Sequence, residues 1–206
     1  MTDSQGEERA DEDSRTRLAE RRGLDPEVYQ PAEDSGLLAE AAIDSLAEPG
    51  VVLEVGTGSG WVAEQVAAET GARVVGSDLN PHACRQARER SVEAVRADLL
   101  DPFADDAFDA VLFNPPYLPT DPDNEWDDWM EHALSGGEDG RRLIVPFLRE
   151  VERVLTPGGE VYLLVSSLTG YDIVVGLAEE AGFSVDEVVQ ESYPFEVLSI
   201  LRLRPA

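Results

Sequence analysis

The chain contains no lysine. All 16 basic residues are arginine, set against 43 acidic residues, and the net charge is −27 over 206 residues. Such a surface lacks the basic patch on which nonspecific nucleic-acid binding rests, so nucleic acid is disfavoured as a partner. It also repels itself at low ionic strength. At about 1 M salt the Debye length shrinks to roughly 3 Å and the repulsion is screened. The composition therefore predicts a halophilic protein of a salt-filled cytoplasm, with a binder of basic partners as the plainer alternative. Cysteine is nearly missing too. Cys84 stands alone, which excludes an internal disulfide and a cysteine-based metal cage. No apolar run reaches the length of a membrane span, and the N-terminus is acidic and arginine-rich rather than built as a signal sequence. A cytoplasmic location and no membrane partner are expected. His82 and His132 have no metal-ligand spacing. The run Asp121, Asp123, Glu125, Asp127, Asp128 lacks the glycine and terminal glutamate of a calcium loop. No metal site is expected.

What is present has the size of one domain, with 42% hydrophobic residues and too little length for two cores. Residues 1–23 are polar, charged and poor in apolar side chains, and read as an acidic, disordered tail. Residues 24–206 read as a single domain. Apolar residues recur at helical spacing over 33–46. Strands and helices then alternate: strands at 51–55, 73–77, 92–97 and 108–113, helices at 61–69 and 81–90. A strongly amphipathic helix is expected over 141–155, ended by Thr156-Pro157-Gly158-Gly159. A strand at 160–166 and a helix at 171–181 follow. The closing strands, 185–190 and 197–203, have no helix between them. Repeated strand–helix units predict an α/β fold, a mostly parallel seven-stranded sheet with helices on both faces. The last two strands predict an antiparallel hairpin at its edge.

The first strand runs into "VVLEVGTGSGWVA". Gly56, Gly58 and Gly60 allow a tight turn and close approach of backbone to a ligand, at the strand ends where α/β sheets bind ligands. A dinucleotide site would need glycine where Trp61 stands. Glu54, just before the loop, would repel a pyrophosphate and suits an ammonium group. S-adenosyl-L-methionine fits these constraints: an adenosine, a sulfonium and an amino-acid tail, without phosphate. Asp78 follows the loop by about 20 residues, the spacing at which a carboxylate accepts from ribose hydroxyls. At the next strand end Asp98 is placed to accept from the adenine amino group and Leu99 to pack the ring.

The fourth strand ends in Asn114-Pro115-Pro116-Tyr117. Two prolines cannot continue a strand and hold a rigid loop instead. A planar NH2 is a poor nucleophile because its lone pair is delocalised. The Asn114 side-chain oxygen and the Pro115 carbonyl can each accept one of its N–H groups, aiming the nitrogen at a methyl donor. Tyr117 offers a flat face for stacking. These residues are candidates for catalysis without a dedicated base. The motif leaves adenine, cytosine and glutamine open as acceptors.

Glu54 to Gly60, Asp78, Asp98-Leu99 and Asn114-Pro-Pro-Tyr117 together resemble the HemK/PrmC family of class I release-factor glutamine methyltransferases. "VYQPAEDSGLL" upstream and "GGEDGR" downstream extend the match over residues 28–203. With no room for the extra helical domain of bacterial members, the chain is similar to the short archaeal and eukaryotic branch. The resemblance implies a Rossmann-like class I methyltransferase fold with S-adenosyl-L-methionine as cofactor. It implies that Ser35 lines the cofactor pocket with Glu54, Gly56, Asp78, Asp98, Leu99 and Asn114. The implied substrate is the glutamine of the Gly-Gly-Gln loop of a class I release factor. In eukaryotic relatives a small zinc-binding activator subunit docks at the sheet edge near the third strand. An N6-adenine or N4-cytosine methyltransferase acting on DNA or RNA is the alternative. Around this core, Trp126 and Trp129 are read as a lid or as helix packing, Cys84 as a small core residue, and Arg141 and Arg142 as loop-bracing or substrate-contacting.

Overall fold

The structure, a computed structural model, describes residues 27–47, 50–121 and 128–206. The expected tail, Trp126 and the acidic residues Asp123, Glu125 and Asp127 lie outside them. Helix α1 (Glu33–Ser45) leads into the alternation of β1 (Val51–Val55), α2 (Trp61–Thr70), β2 (Arg73–Asp78), α3 (Pro81–Glu89) and β3 (Glu93–Arg96). Then come β4 (Phe108–Phe113), a short α4 (Trp129–Leu134), α5 (Ile144–Val154), β5 (Leu155–Ser166), α6 (Tyr171–Glu180), β6 (Phe183–Ser192) and β7 (Val197–Pro205). Among the described residues no helix is long and apolar enough to cross a membrane.

One seven-stranded sheet has the order β3-β2-β1-β4-β5-β7-β6. The first five strands pair in parallel, and β7 runs antiparallel to both β5 and β6. The central strands β1 and β4 are mostly apolar because both faces of the sheet are covered there. Val52, Ala110, Leu112, Tyr162 and Leu164 pack under α1, α2 and α3. Their chain neighbours Leu53, Val111, Phe113, Leu163 and Val165 pack under α5 and α6. Cys84 is buried in the first of these layers. Helix α3 starts where Asn80 caps it, its side chain accepting from the His82 N–H at 2.9 Å, with proline in the first turn.

Three elements differ from the sequence reading. Helix α5 is shorter than 141–155, beginning at Ile144 and ending at Val154. Arg141 and Arg142 lie just before its first turn, where their side chains are engaged by the Thr169 and Ser135 carbonyls. The Pro-Gly-Gly stretch does not separate helix from strand: β5 already starts at Leu155, and a register shift against β4 absorbs the irregular residues. The long connection after β4 contains α4, whose first turn is capped by Asp128 accepting from the Glu131 N–H at 2.7 Å.

Candidate functional site

The order β3-β2-β1-β4 sets four strand C-termini side by side, with Val55 level with both Ser77 and Phe113. Between β1 and β4 the chain order reverses, which is where open α/β sheets form a ligand crevice. A cavity of about 450 Å3 opens there. Gly56, Gly58, Asp78, Asp98 and Leu99 line it from the β1–β3 side, with Glu54 at its floor. Ser35, Asn114, Pro115 and Tyr117 line it from the other side.

The glycine loop is held by hydrogen bonds that its own motif supplies. Gly56, Gly58 and Gly60 adopt φ of 66°, 53° and 79°, a region costly for other residues. The Thr57 N–H donates to the Ser77 carbonyl at 2.8 Å, and the Gly58 N–H to Asp78 Oδ2 at 2.9 Å. The other Asp78 oxygen accepts from the Asn80 N–H at 2.8 Å. Burial still holds the Asp78 carboxyl above its ordinary range, against the lowering effect of the Asn80, Gly58 and Leu79 N–H groups. Gly60 faces away from the cavity. A Cβ there would lie 2.7 Å from Ala87, so this glycine lets α3 pack against the loop.

Glu54 is 4% exposed. Its Oε2 accepts from Thr57 Oγ1 at 2.5 Å and from the Ala63 N–H at 3.0 Å. Burial pushes its carboxyl up to about 8 despite those two donors. A cation beside it would reverse that shift. Leu99 stands at φ 44°, a strained backbone for a non-glycine residue, where strain clusters at ligand sites.

On the β4 side the decisive contact comes from α1. Asp34, buried at 5% exposure, gathers four donors. Its Oδ1 accepts from the Ser35 N–H at 2.6 Å and Ser35 Oγ at 3.2 Å. Its Oδ2 accepts from the Tyr29 hydroxyl at 3.2 Å and from Asn114 Nδ2 at 3.0 Å. Asn114 Oδ1, by contrast, is buried with no hydrogen-bond partner among the described residues. The Tyr117 hydroxyl meets Glu196, whose Oε2 also accepts from Ser166 Oγ at 2.6 Å. Burial first, then nearby Asp34, raises the pKa of both Tyr29 and Tyr117. Both phenols thus stay protonated near neutral pH and neither serves as a base.

The Gly-Gly-Glu-Asp-Gly-Arg stretch backs the Asn-Pro-Pro-Tyr loop. The Gly136 N–H donates to the Leu118 carbonyl at 2.8 Å and the Thr120 N–H to the Gly137 carbonyl at 3.0 Å. Gly140 sits at φ 74°, and a Cβ there would come within 2.5 Å of the Tyr117 carbonyl oxygen. Arg141 donates to the Thr169 carbonyl and to Asp139, and Arg142 to the Ser135 carbonyl at 2.9 Å. Both arginines brace this loop. Trp129, at the start of α4, borders the cavity.

Sequence reasoning placed the residues of the four strand ends but passed over Asp34, Thr57 and Gly140 as contributors. Asp34 had one signal, its position between Glu33 and Ser35 in the first turn of an expected helix.

Residues 52–136 match the family described as a methyltransferase domain. A protein of Methanocaldococcus jannaschii assigned as an N5-glutamine methyltransferase is 37% identical over 184 residues, covering 86% of this chain and 92% of that protein. The human methyltransferase HEMK2 is 31% identical over 195 residues, 88% of this chain and 91% of its own. The release factor glutamine methyltransferase of Geobacter sulfurreducens is 34% identical over 181 residues, 78% of this chain but 62% of that protein. Among solved structures, the Mtq2 protein of the E. cuniculi Mtq2–Trm112 complex, which methylates the translation termination factor eRF1, superposes with a TM-score of 0.73 at 30% identity. That match covers 87% of this chain and 99% of the other.

Proposed function

This chain belongs to the protein N5-glutamine methyltransferases that include the release factor glutamine methyltransferases, and from that premise we propose its substrate and chemistry. It methylates the side-chain amide nitrogen of the glutamine in the Gly-Gly-Gln loop of a class I translation release factor. The observation that carries this reading is Asn114 Oδ1 at the end of β4, a buried acceptor with no partner among the described residues. Leaving such an atom unpaired is costly. An N–H of a substrate carboxamide satisfies it.

The cavity suits S-adenosyl-L-methionine. Its walls carry the buried Glu54 carboxylate for an ammonium group and the half-buried Asp78 carboxylate for ribose hydroxyls, and the Arg142 guanidinium on its edge is engaged by the Ser135 carbonyl. Glu54 would hold the amino group, Asp78 the ribose, and Asp98 with Leu99 the adenine, with Ser35 closing the pocket. When bound, the cofactor supplies an electrophilic methyl. The protein's part is orientation. Asn114 Oδ1 and the Pro115 carbonyl accept the two N–H groups of the incoming amide, which exposes the nitrogen lone pair and stabilises positive charge growing on it. Tyr117 lies against the plane of the amide. No group is required to take a proton before transfer, and the product amide loses its extra proton afterwards. Peptide mapping after reaction with the organism's own release factor tests this. One methyl group should appear on the Gly-Gly-Gln glutamine; a methyl on any other residue would contradict the assignment.

A small activator subunit is proposed at β3. That strand pairs with β2 on one side, and Val95 on it is 38% exposed, next to Leu79 at 44% on the loop beyond β2. A partner strand added at this edge would cover both. Zinc binding by that subunit is part of the proposal. The charge of −27 is read as adaptation to a salt-filled cytoplasm. Folded stability should therefore rise between dilute buffer and molar potassium chloride, and equal stability would remove that reading.

A further inference from the structure

We infer that Asp34 is the positioning residue that fixes which end of the Asn114 amide faces the substrate, and so makes the site select an N–H donor. The inference rests on the acceptor role proposed above for Asn114. It adds that the role is imposed from α1, 80 residues away in the chain, and not by the Asn-Pro-Pro-Tyr loop itself.

The four contacts of Asp34 carry the argument. Both Asp34 oxygens already act as acceptors, one from Ser35 and the other from Tyr29. The Asn114 amide can meet it only through its NH2, at 3.0 Å, which turns Oδ1 the other way. Tyr29 donates to the same carboxylate oxygen at 3.2 Å. The opposite oxygen is fixed by the Ser35 backbone N–H at 2.6 Å, a donor that cannot rotate away. Asp34 is thereby locked at one oxygen and dictates orientation with the other. An isolated asparagine side chain could present either its oxygen or its NH2 to the cavity. This one turns its oxygen away from Asp34, where it is buried without a partner among the described residues, and a substrate without an N–H at that place leaves it unpaired.

The lock predicts what a near-isosteric change does. In Asp34→Asn, the remaining oxygen stays with the Ser35 N–H, so the new NH2 group takes the place of Oδ2. Asn114 then turns its own oxygen toward that NH2 and points its NH2 at the substrate, donor against donor. Methyl transfer at saturating substrates should fall by about 10²-fold, as for a misoriented reacting group, while cofactor affinity stays near that of the unmodified protein. Adding Asn114→Asp to Asp34→Asn restores a donor–acceptor pair, with one carboxylate oxygen held and the other free to accept. The double variant should exceed Asp34→Asn by about tenfold, which a purely structural role for Asp34 would not produce.

A substrate-free measurement separates this inference from the functional reading. The chain has three asparagines, Asn80, Asn114 and Asn124, so selective 15N-asparagine labelling resolves their side-chain NH2 signals. The Asn114 pair should exchange slowly with solvent in the unmodified protein and lose that protection in Asp34→Asn. Unchanged exchange, wild-type turnover in Asp34→Asn, or a double variant no faster than the single one would each overturn the inference. An unmodified protein that leaves the release factor unmethylated would overturn the functional reading instead, with the amide exchange still deciding the role of Asp34.

Discussion

The two sides of the pocket are built in different ways. On the β1–β3 side, the contacts that shape the site stay within the β1–α2–β2 unit and the turn that follows it: Thr57 to Glu54, Gly58 to Asp78, Asn80 to Asp78. On the β4 side, Asn114 is oriented from α1, the Tyr117 carbonyl rests against Gly140, and the Tyr117 hydroxyl reaches Glu196 in the β6–β7 turn. The first side is a strand–turn–helix unit that carries its own geometry. The second exists only when distant elements have packed. Cofactor binding and methyl transfer should therefore be separable by mutation, and each prediction below tests that separation.

Asn114→Ala gives the largest effect. Transfer should drop by about 10²-fold or more, the loss expected for one positioned hydrogen-bonding group, and calorimetric cofactor affinity should hardly change. A comparable loss of affinity would merge the two sides. Asp78→Ala is the converse. It removes the carboxylate proposed to hold the ribose, which also anchors the Gly58 N–H. The cofactor dissociation constant should rise by roughly 10- to 100-fold, the range for hydrogen bonds to a charged group, with turnover at saturating cofactor less affected. Gly140→Ala forces a Cβ against the Tyr117 carbonyl. It should lower transfer by ~10-fold while leaving cofactor affinity intact, although it touches neither ligand. A fall in affinity instead would place this loop on the cofactor side.

The smallest effect concerns pH. Glu54 is pushed up from 4.5 to about 8 in the fold. Between those values the folded chain holds a proton that the unfolded chain has lost. This group's contribution to stability is therefore full below about 4.5 and falls as pH rises toward about 8. Glu54→Gln should flatten that part of the dependence of Tm on pH, and bound cofactor should flatten it as well by supplying a cation. An unchanged slope in Glu54→Gln would show that Glu54 titrates normally.

The contrast between the two sides also decides how much could be read beforehand. The central strands β1 and β4 were legible because both faces of the sheet are covered there and each is a short, mostly apolar run. The glycine loop was legible because its turn, its glycines and its carboxylates lie within one stretch. Asp34 was not, since its importance depends on a contact with Asn114 that no local pattern encodes. Helix α4 has six residues, too few to show a helical period. The start of β5 was hidden because Pro157-Gly158-Gly159 has the composition of a turn, yet a register shift keeps it in the sheet. The apparent helix began three residues early, at Arg141, and the misfit of Arg141 and Arg142 with the helix dipole was the sign that they serve the loop instead.

The most direct measurement of the central claim is methyl transfer from labelled S-adenosyl-L-methionine in molar potassium chloride. The acceptors are the release factor, the same factor with its Gly-Gly-Gln glutamine replaced by alanine, tRNA and duplex DNA, each with and without the small activator subunit. The account predicts label on the native factor alone. Label on nucleic acid, or equal label on the glutamine-free factor, would contradict it.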